Sequence, residues 1–165
     1  MARILVVDDE PDIREVVGGV LERAGHDVTA AEDGTSAATL QHEHRFDIIV
    51  SDLRMPGLNG IQLARAVRAG AHGDIPFLLV TAAPSTRDLS DAHQAGVTAH
   101  LDKPFGFAEL RDKVALMLAV AQLRPQPAPL GPSGNRACRD GRESGLLRDQ
   151  PASIVPIGSD ASISP

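Results

Sequence analysis

The stretch FDIIVSDLRMPGLNG, residues 46–60, decides how this chain is read. Ile48, Ile49 and Val50 form an apolar run suited to a strand covered on both faces. The run stops at Asp52, and Met-Pro-Gly then breaks the pattern. A carboxylate at the end of a core strand is costly unless something there binds it. Asp52 is therefore either an ordinary turn residue or a reactive group.

On both sides of this stretch the same apolar signature recurs. RILVV (3–7), DVTAA (27–31), DIIVS (47–51), PFLLVT (76–81) and TAHL (98–101) are the expected strands. Between them the period changes to that of a helix. After Pro11, the residues Ile13, Val16, Val17, Val20, Leu21 and Ala24 share a helical face that Gly25 ends. A second helix is expected from Thr35 to about His44. A third follows Asn59 and offers Ile61, Leu63, Ala64 and Val67 for burial, and a weaker fourth spans Thr86 to Ala95. The fifth presents Leu110, Val114, Met117, Leu118 and Ala121. Five strand–helix units in succession imply an α/β fold with a parallel, doubly wound sheet. In such sheets chemistry sits beyond the carboxyl ends of the strands.

Those ends carry the functional signal. The first strand runs into Asp8 and Asp9, the third into Asp52 and the fourth into Thr81, while Lys103 and Pro104 follow the fifth. Crowded carboxylates repel one another unless a cation lies between them. Oxygen-only ligands point to Mg²⁺. With the metal screening the approach of a phosphate, Asp52 can attack phosphorus and become an acyl phosphate. Lys103 would supply positive charge and Thr81 a hydroxyl donor to the phosphoryl oxygens. Helix capping by Asp8 or Asp9 is the plainer reading, but it does not call for Asp52 nearby.

Composition narrows the alternatives. The net charge of −6 lies in residues 1–124, and four arginines offset four acids in residues 125–165. Neither part has the basic stripe of a nucleic-acid binder, so no direct nucleic-acid contact is expected. No apolar run approaches the roughly 18 residues of a membrane span, and acidic residues come too early for a secretory signal, so a cytoplasmic location is expected. Cys138 is the single cysteine and rules out an internal disulfide. GLNG (57–60) lacks the lysine and spacing of a nucleotide loop, and His42 and His44 would face different sides of a helix. From 123 to 165 the chain is rich in Pro, Gly and Ser, and disorder is expected there, with ASIVPI (152–157) its one apolar patch.

Taken together, LVVDDEPDIR, DIIVSDLRMPGLNG, LLVTA and LDKPF resemble the receiver domain of bacterial two-component response regulators, over about residues 1–122. The resemblance implies a flavodoxin-like sheet of five strands in order 2-1-3-4-5 with five helices. It implies Asp52 as phospho-acceptor and Asp9 as direct Mg²⁺ ligand. Asp8 would act on the metal partly through water, with the backbone carbonyl of Arg54 as a further ligand. Thr81 would be the switch hydroxyl, Ala82 the small neighbour that keeps the site open, and Lys103 the partner of the phosphoryl group. Pro104 stands where the family has a cis peptide bond. The donor would be a histidine kinase or a histidine phosphotransfer protein. The output would be partner binding on the fourth helix, fifth strand and fifth helix, as in a stand-alone, chemotaxis-regulator-like receiver. Catalysis would be limited to self-catalysed phosphoryl transfer and autodephosphorylation.

One position departs from the family pattern: His100 stands where a switch Tyr or Phe is usual. Imidazole is smaller and titrates near neutral pH, so the switch is expected to be weaker or pH-sensitive. Two rival functions exist. A phosphorylation-independent binding module would keep the site without using it. A haloacid-dehalogenase-type phosphatase would place its nucleophile in an Asp-x-Asp pattern on the first strand, whereas VVDDEP has adjacent acids.

Overall fold

The computed structural model describes residues 1–123 except Ala71. The expected tail, apart from Leu123, lies outside the described residues. The elements are β1 (Arg3–Val7), α1 (Pro11–Arg23), β2 (Asp27–Ala31), α2 (Gly34–Glu43), β3 (Ile48–Asp52), α3 (Gly60–Ala69), β4 (Phe77–Ala82), α4 (Thr86–Gln94), β5 (Ala99–Lys103) and α5 (Phe107–Gln122). All strand pairs are parallel, in the order β2-β1-β3-β4-β5, which is the expected fold.

Strand alternation divides the core between the two faces of the sheet. Leu5, Val7, Ile49, Phe77 and Leu79 pack against α2, α3 and α4 through Ala37, Leu63 and Ala92. Ile4, Val6, Ile48, Val50, Leu78 and Leu101 pack against α1 and α5 through Leu21, Leu110 and Val114. β3 is buried along its whole length because α/β layers cover both of its faces.

Local chemistry sets the helix ends. Pro11 opens α1 in its first turn. Asp33 caps α2 by accepting from the Ser36 N–H at 2.7 Å. Asn59 with Gln62 and Ser85 with Asp88 form reciprocal capping boxes on α3 and α4. Arg68 fixes the far end of α3. Its guanidinium donates to the carbonyls of Gly73, Ile75 and Gly96, tying that helix to the approach to β4 and the turn before β5.

Two expectations about α1 need correction. Val16 is 46 % exposed, and Ala24 is exposed at the C-cap. The buried face is built on Val17, Gly18 and Leu21. Val16 is rotated about 100° from Val17 and leaves the contact. Ala24 falls after the last helical turn. No helix among the described residues is long and apolar enough to cross a membrane.

Candidate functional site

The strands run further than their apolar patterns indicate, and this shapes the site. β3 includes Asp52 as its last residue, and β5 continues through Asp102 to Lys103. Asp52 pairs in register with Val80, and Ala82 with Lys103. Backbone ladders therefore hold these functional side chains, where a loose loop would leave their positions undetermined.

Three of the expected residues meet directly. The Lys103 ammonium donates to Asp52 Oδ1 at 2.7 Å and to Asp8 Oδ2 at 3.1 Å. The remaining Asp52 oxygen, Oδ2, accepts from the Arg54 backbone N–H at 2.5 Å. Asp8 Oδ1 accepts from the Glu10 N–H at 2.9 Å. Asp8 and Asp52 are only 4 % and 8 % exposed, and buried carboxylates are costly unless such charge-assisted bonds satisfy them. Burial of Lys103 opposes its charge. The hydrogen bonds and charges of Asp52 and Asp8 outweigh that penalty and raise its pKa above 10.5.

The other expected residues surround this triad. Thr81 is buried at the end of β4, and its hydroxyl has no hydrogen-bond partner among the described residues. Asp9 is exposed next to Asp8. The capping role is not what Asp9 performs, since α1 is capped at Glu10 without a side-chain bond. His100 lies on β5 opposite Leu79 and is exposed. The Lys103–Pro104 bond is cis. Ala82 is exposed, and Ala83 has φ +48°, a left-handed conformation that costs a non-glycine residue about 1 kcal/mol.

Two supporting residues escaped the sequence reading. Arg14, on the first turns of α1, donates from Nη1 to the Asp8 carbonyl at 2.6 Å. Gly60 lets α3 approach the back of β3: a Cβ there would stand 2.3 Å from the Asp52 carbonyl oxygen and 2.7 Å from Leu79 Cδ1. A glycine at a helix start was visible in the sequence, but the backbone it touches was not.

The donor chemistry fits a hard divalent cation. Carboxylates of Asp8, Asp9 and Asp52 and the Arg54 carbonyl are all oxygen ligands, as Mg²⁺ requires. Among the described residues no group of three or more His, Cys, Asp or Glu side chains is arranged to hold a metal by itself. Lys103 instead provides the positive charge between Asp8 and Asp52.

Comparison with known proteins places this geometry. The pattern of the response regulator receiver domain matches residues 4–115. The chemotaxis protein CheY of Pseudomonas aeruginosa is 40 % identical over 114 residues, covering 68 % of this chain and 92 % of that protein. The structure of Vibrio cholerae chemotaxis protein CheY4 superposes with a TM-score of 0.69 at 34 % identity, over 71 % of this chain and 98 % of that one. The receiver domain of a Pseudomonas aeruginosa sensor histidine kinase, solved with a magnesium ion in its active-site cleft, gives 0.67 at 33 % identity, over 72 % and 98 %. Other curated relatives are longer, and the chain spans 49 % and 50 % of two of them.

Proposed function

The chain belongs to the family of response regulator receiver domains, and on that premise we propose that Asp52 accepts a phosphoryl group from a histidine kinase or a histidine phosphotransfer protein. Receiver domains are phosphorylated by histidine kinases and bind Mg²⁺ at the active site. The observation that carries the reading here is the Lys103 ammonium placed between Asp52 and Asp8.

In the proposed step an Asp52 carboxylate oxygen forms a bond to phosphorus as the P–N bond of the donor phosphohistidine breaks. The donor imidazole leaves with the electron pair and takes up a proton. Lys103, already bonded to Asp52, follows the new charge and donates to a phosphoryl oxygen. The Thr81 hydroxyl has no partner among the described residues, and it gains one by donating to a second phosphoryl oxygen. The Arg54 N–H holds the other carboxylate oxygen and fixes the attack direction. Asp9, Asp52, the Arg54 carbonyl and, partly through water, Asp8 would hold Mg²⁺, which would supply charge neutralisation at the site. Hydrolysis of the acyl phosphate in the same site resets the domain, so turnover is confined to the protein's own phosphoryl group.

The acyl phosphate adds close to two negative charges. Thr81 and Lys103 reach it only by moving, and they sit on β4 and β5. The α4–β5–α5 face, with exposed His100 on its strand, is where this reading puts the output. Phosphate favours one of two states through its differential contacts. Partners are proteins, and the setting is the cytoplasm, where kinases charge their histidines.

Incubation of the chain with acetyl phosphate and Mg²⁺, followed by intact-mass measurement, tests this. One phosphoryl group is expected per chain, lost in Asp52→Asn and on removal of Mg²⁺ with EDTA. Equal labelling of Asp52→Asn overturns the assignment. Absence of labelling in the parent supports the phosphorylation-independent module, and repeated turnover of phosphomonoesters supports the phosphatase.

A further inference from the structure

Asp8 is held at each of its polar atoms. Its N–H donates to the Ala31 carbonyl at 3.3 Å, and its carboxylate oxygens accept from the Glu10 N–H and from Lys103. Its own carbonyl accepts from Arg14 Nη1 at 2.6 Å. This last bond is the unusual one. Arg14 stands in a run of acids, with Asp9, Glu10, Asp12 and Glu15 around it in sequence. Among the described residues its guanidinium forms no ion pair with any of them and directs its charge at a backbone oxygen. A charge-assisted bond of this kind is about twice as strong as a neutral one.

The carbonyl that Arg14 holds belongs to the peptide joining Asp8 to Asp9. A peptide is planar, so orienting its C=O also orients the N–H and Cα of Asp9. Asp9 depends on that outside support. It is exposed, and its carboxylate makes no hydrogen bond or ion pair among the described residues. Arg14 acts from a firm base, since its own N–H donates to the Glu10 carbonyl at 3.1 Å. Val17 and Leu21, one and two turns further on, bury α1 against the sheet.

We propose that Arg14 is a positioning residue for the divalent cation: by holding the Asp8–Asp9 peptide it limits the directions open to the Asp9 carboxylate. The proposal rests on the Mg²⁺ part of the function proposed above. Mg²⁺ demands near-ideal octahedral geometry, so a ligand free to wander lowers affinity. Partners that orient metal ligands are worth about 10- to 100-fold in affinity. Charge alone acts in the opposite sense, because a guanidinium repels a nearby cation and its removal by itself would tighten binding. The sign of the effect therefore separates positioning from electrostatics.

Calorimetric titration of the full, unphosphorylated chain with Mg²⁺ tests this. Arg14→Met keeps the apolar stem and loses the donor, and its Kd for Mg²⁺ is expected to rise at least about threefold. Arg14→Lys keeps a charged donor for a bond made by one nitrogen, and its Kd should stay within about twofold of the parent. The Mg²⁺ concentration for half-maximal labelling of Asp52 by acetyl phosphate should rise in parallel in Arg14→Met. An equal or lower Kd in Arg14→Met overturns the proposal. So does an equal rise in both variants with a matching fall in thermal midpoint, the mark of a general loosening of α1. Absence of Mg²⁺ binding in the parent removes the metal site and this proposal with it. Binding in the parent without labelling of Asp52 overturns the phosphorylation reading instead, and the Kd values still decide the role of Arg14.

Discussion

Lys103 Nζ stands 2.7 Å from Asp52 Oδ1 although 51 residues separate the two in sequence. With Asp8 at 3.1 Å, the contact makes one lysine the shared counter-charge of two buried carboxylates. Removing it leaves those carboxylates facing each other. Lys103→Met is expected to destabilise the domain at pH 7 by about 1–3 kcal/mol.

The same contact fixes a pH dependence. The folded-state pKa of Lys103 lies above its ordinary 10.5. Its charge contribution is therefore fully present below pH 10.5 and lost as pH rises through the folded value. Urea denaturation of parent and Lys103→Met between pH 8 and 11.5 is expected to show a stability gap that narrows above pH 10.5. A gap constant over that range would mean the pair contributes nothing through charge.

Gly60 is expected to tolerate no side chain. A Cβ at 2.3 Å from the Asp52 carbonyl must push α3 or β3 aside, and overpacking of this kind costs about 1–3 kcal/mol. Gly60→Ala should lower stability by that amount and slow labelling of Asp52 by acetyl phosphate. Unchanged labelling in a destabilised variant would show that the acceptor's position does not depend on α3.

Gly19 is the opposite case. Nothing lies within 4 Å of a Cβ built there, and the residue sits inside α1. Gly19→Ala is expected to raise stability by about 0.5–1 kcal/mol through helix propensity and reduced unfolded-state entropy. Chemical denaturation checks it directly.

The caps of α2 and α4 add an acid-side dependence. Hydrogen bonds with Ser36, chiefly from its backbone, lower the pKa of Asp33, and the Ser85 side chain does so for Asp88. Both contributions are present above about pH 4 and fade as pH falls through the depressed folded values. Asparagine caps a helix about as well as aspartate without titrating. Asp33→Asn should therefore match the parent at pH 7 in thermal melts and lose less stability at pH 3. An equal loss in both proteins would remove Asp33 from the acid-side balance.

Much of this was legible in the chain itself. Apolar runs separated by helical periods specify a parallel α/β sheet, because strands covered on both faces carry no polar alternation. Pro11 and Asn59 mark helix starts through chemistry that acts within a few residues. The placement of Asp8, Asp52 and Lys103 at strand ends followed from the same pattern, and the sheet brings these three into contact. The apolar patterns stop short of Asp52 and Lys103 because polar residues close them, while the backbone ladder continues to these residues.

The sequence alone determined the fold class, the strand order through its family resemblance, and which residue types gather at one sheet edge. Local periodicity and short-range capping carry that information along the chain. Only the tertiary structure decided that Lys103 bridges two particular carboxylates, that Thr81 keeps a hydroxyl with no partner among the described residues, and that Gly60 touches the back of Asp52. Each depends on distances between segments remote in sequence, set by how helices pack on a twisted sheet, and no local pattern encodes them.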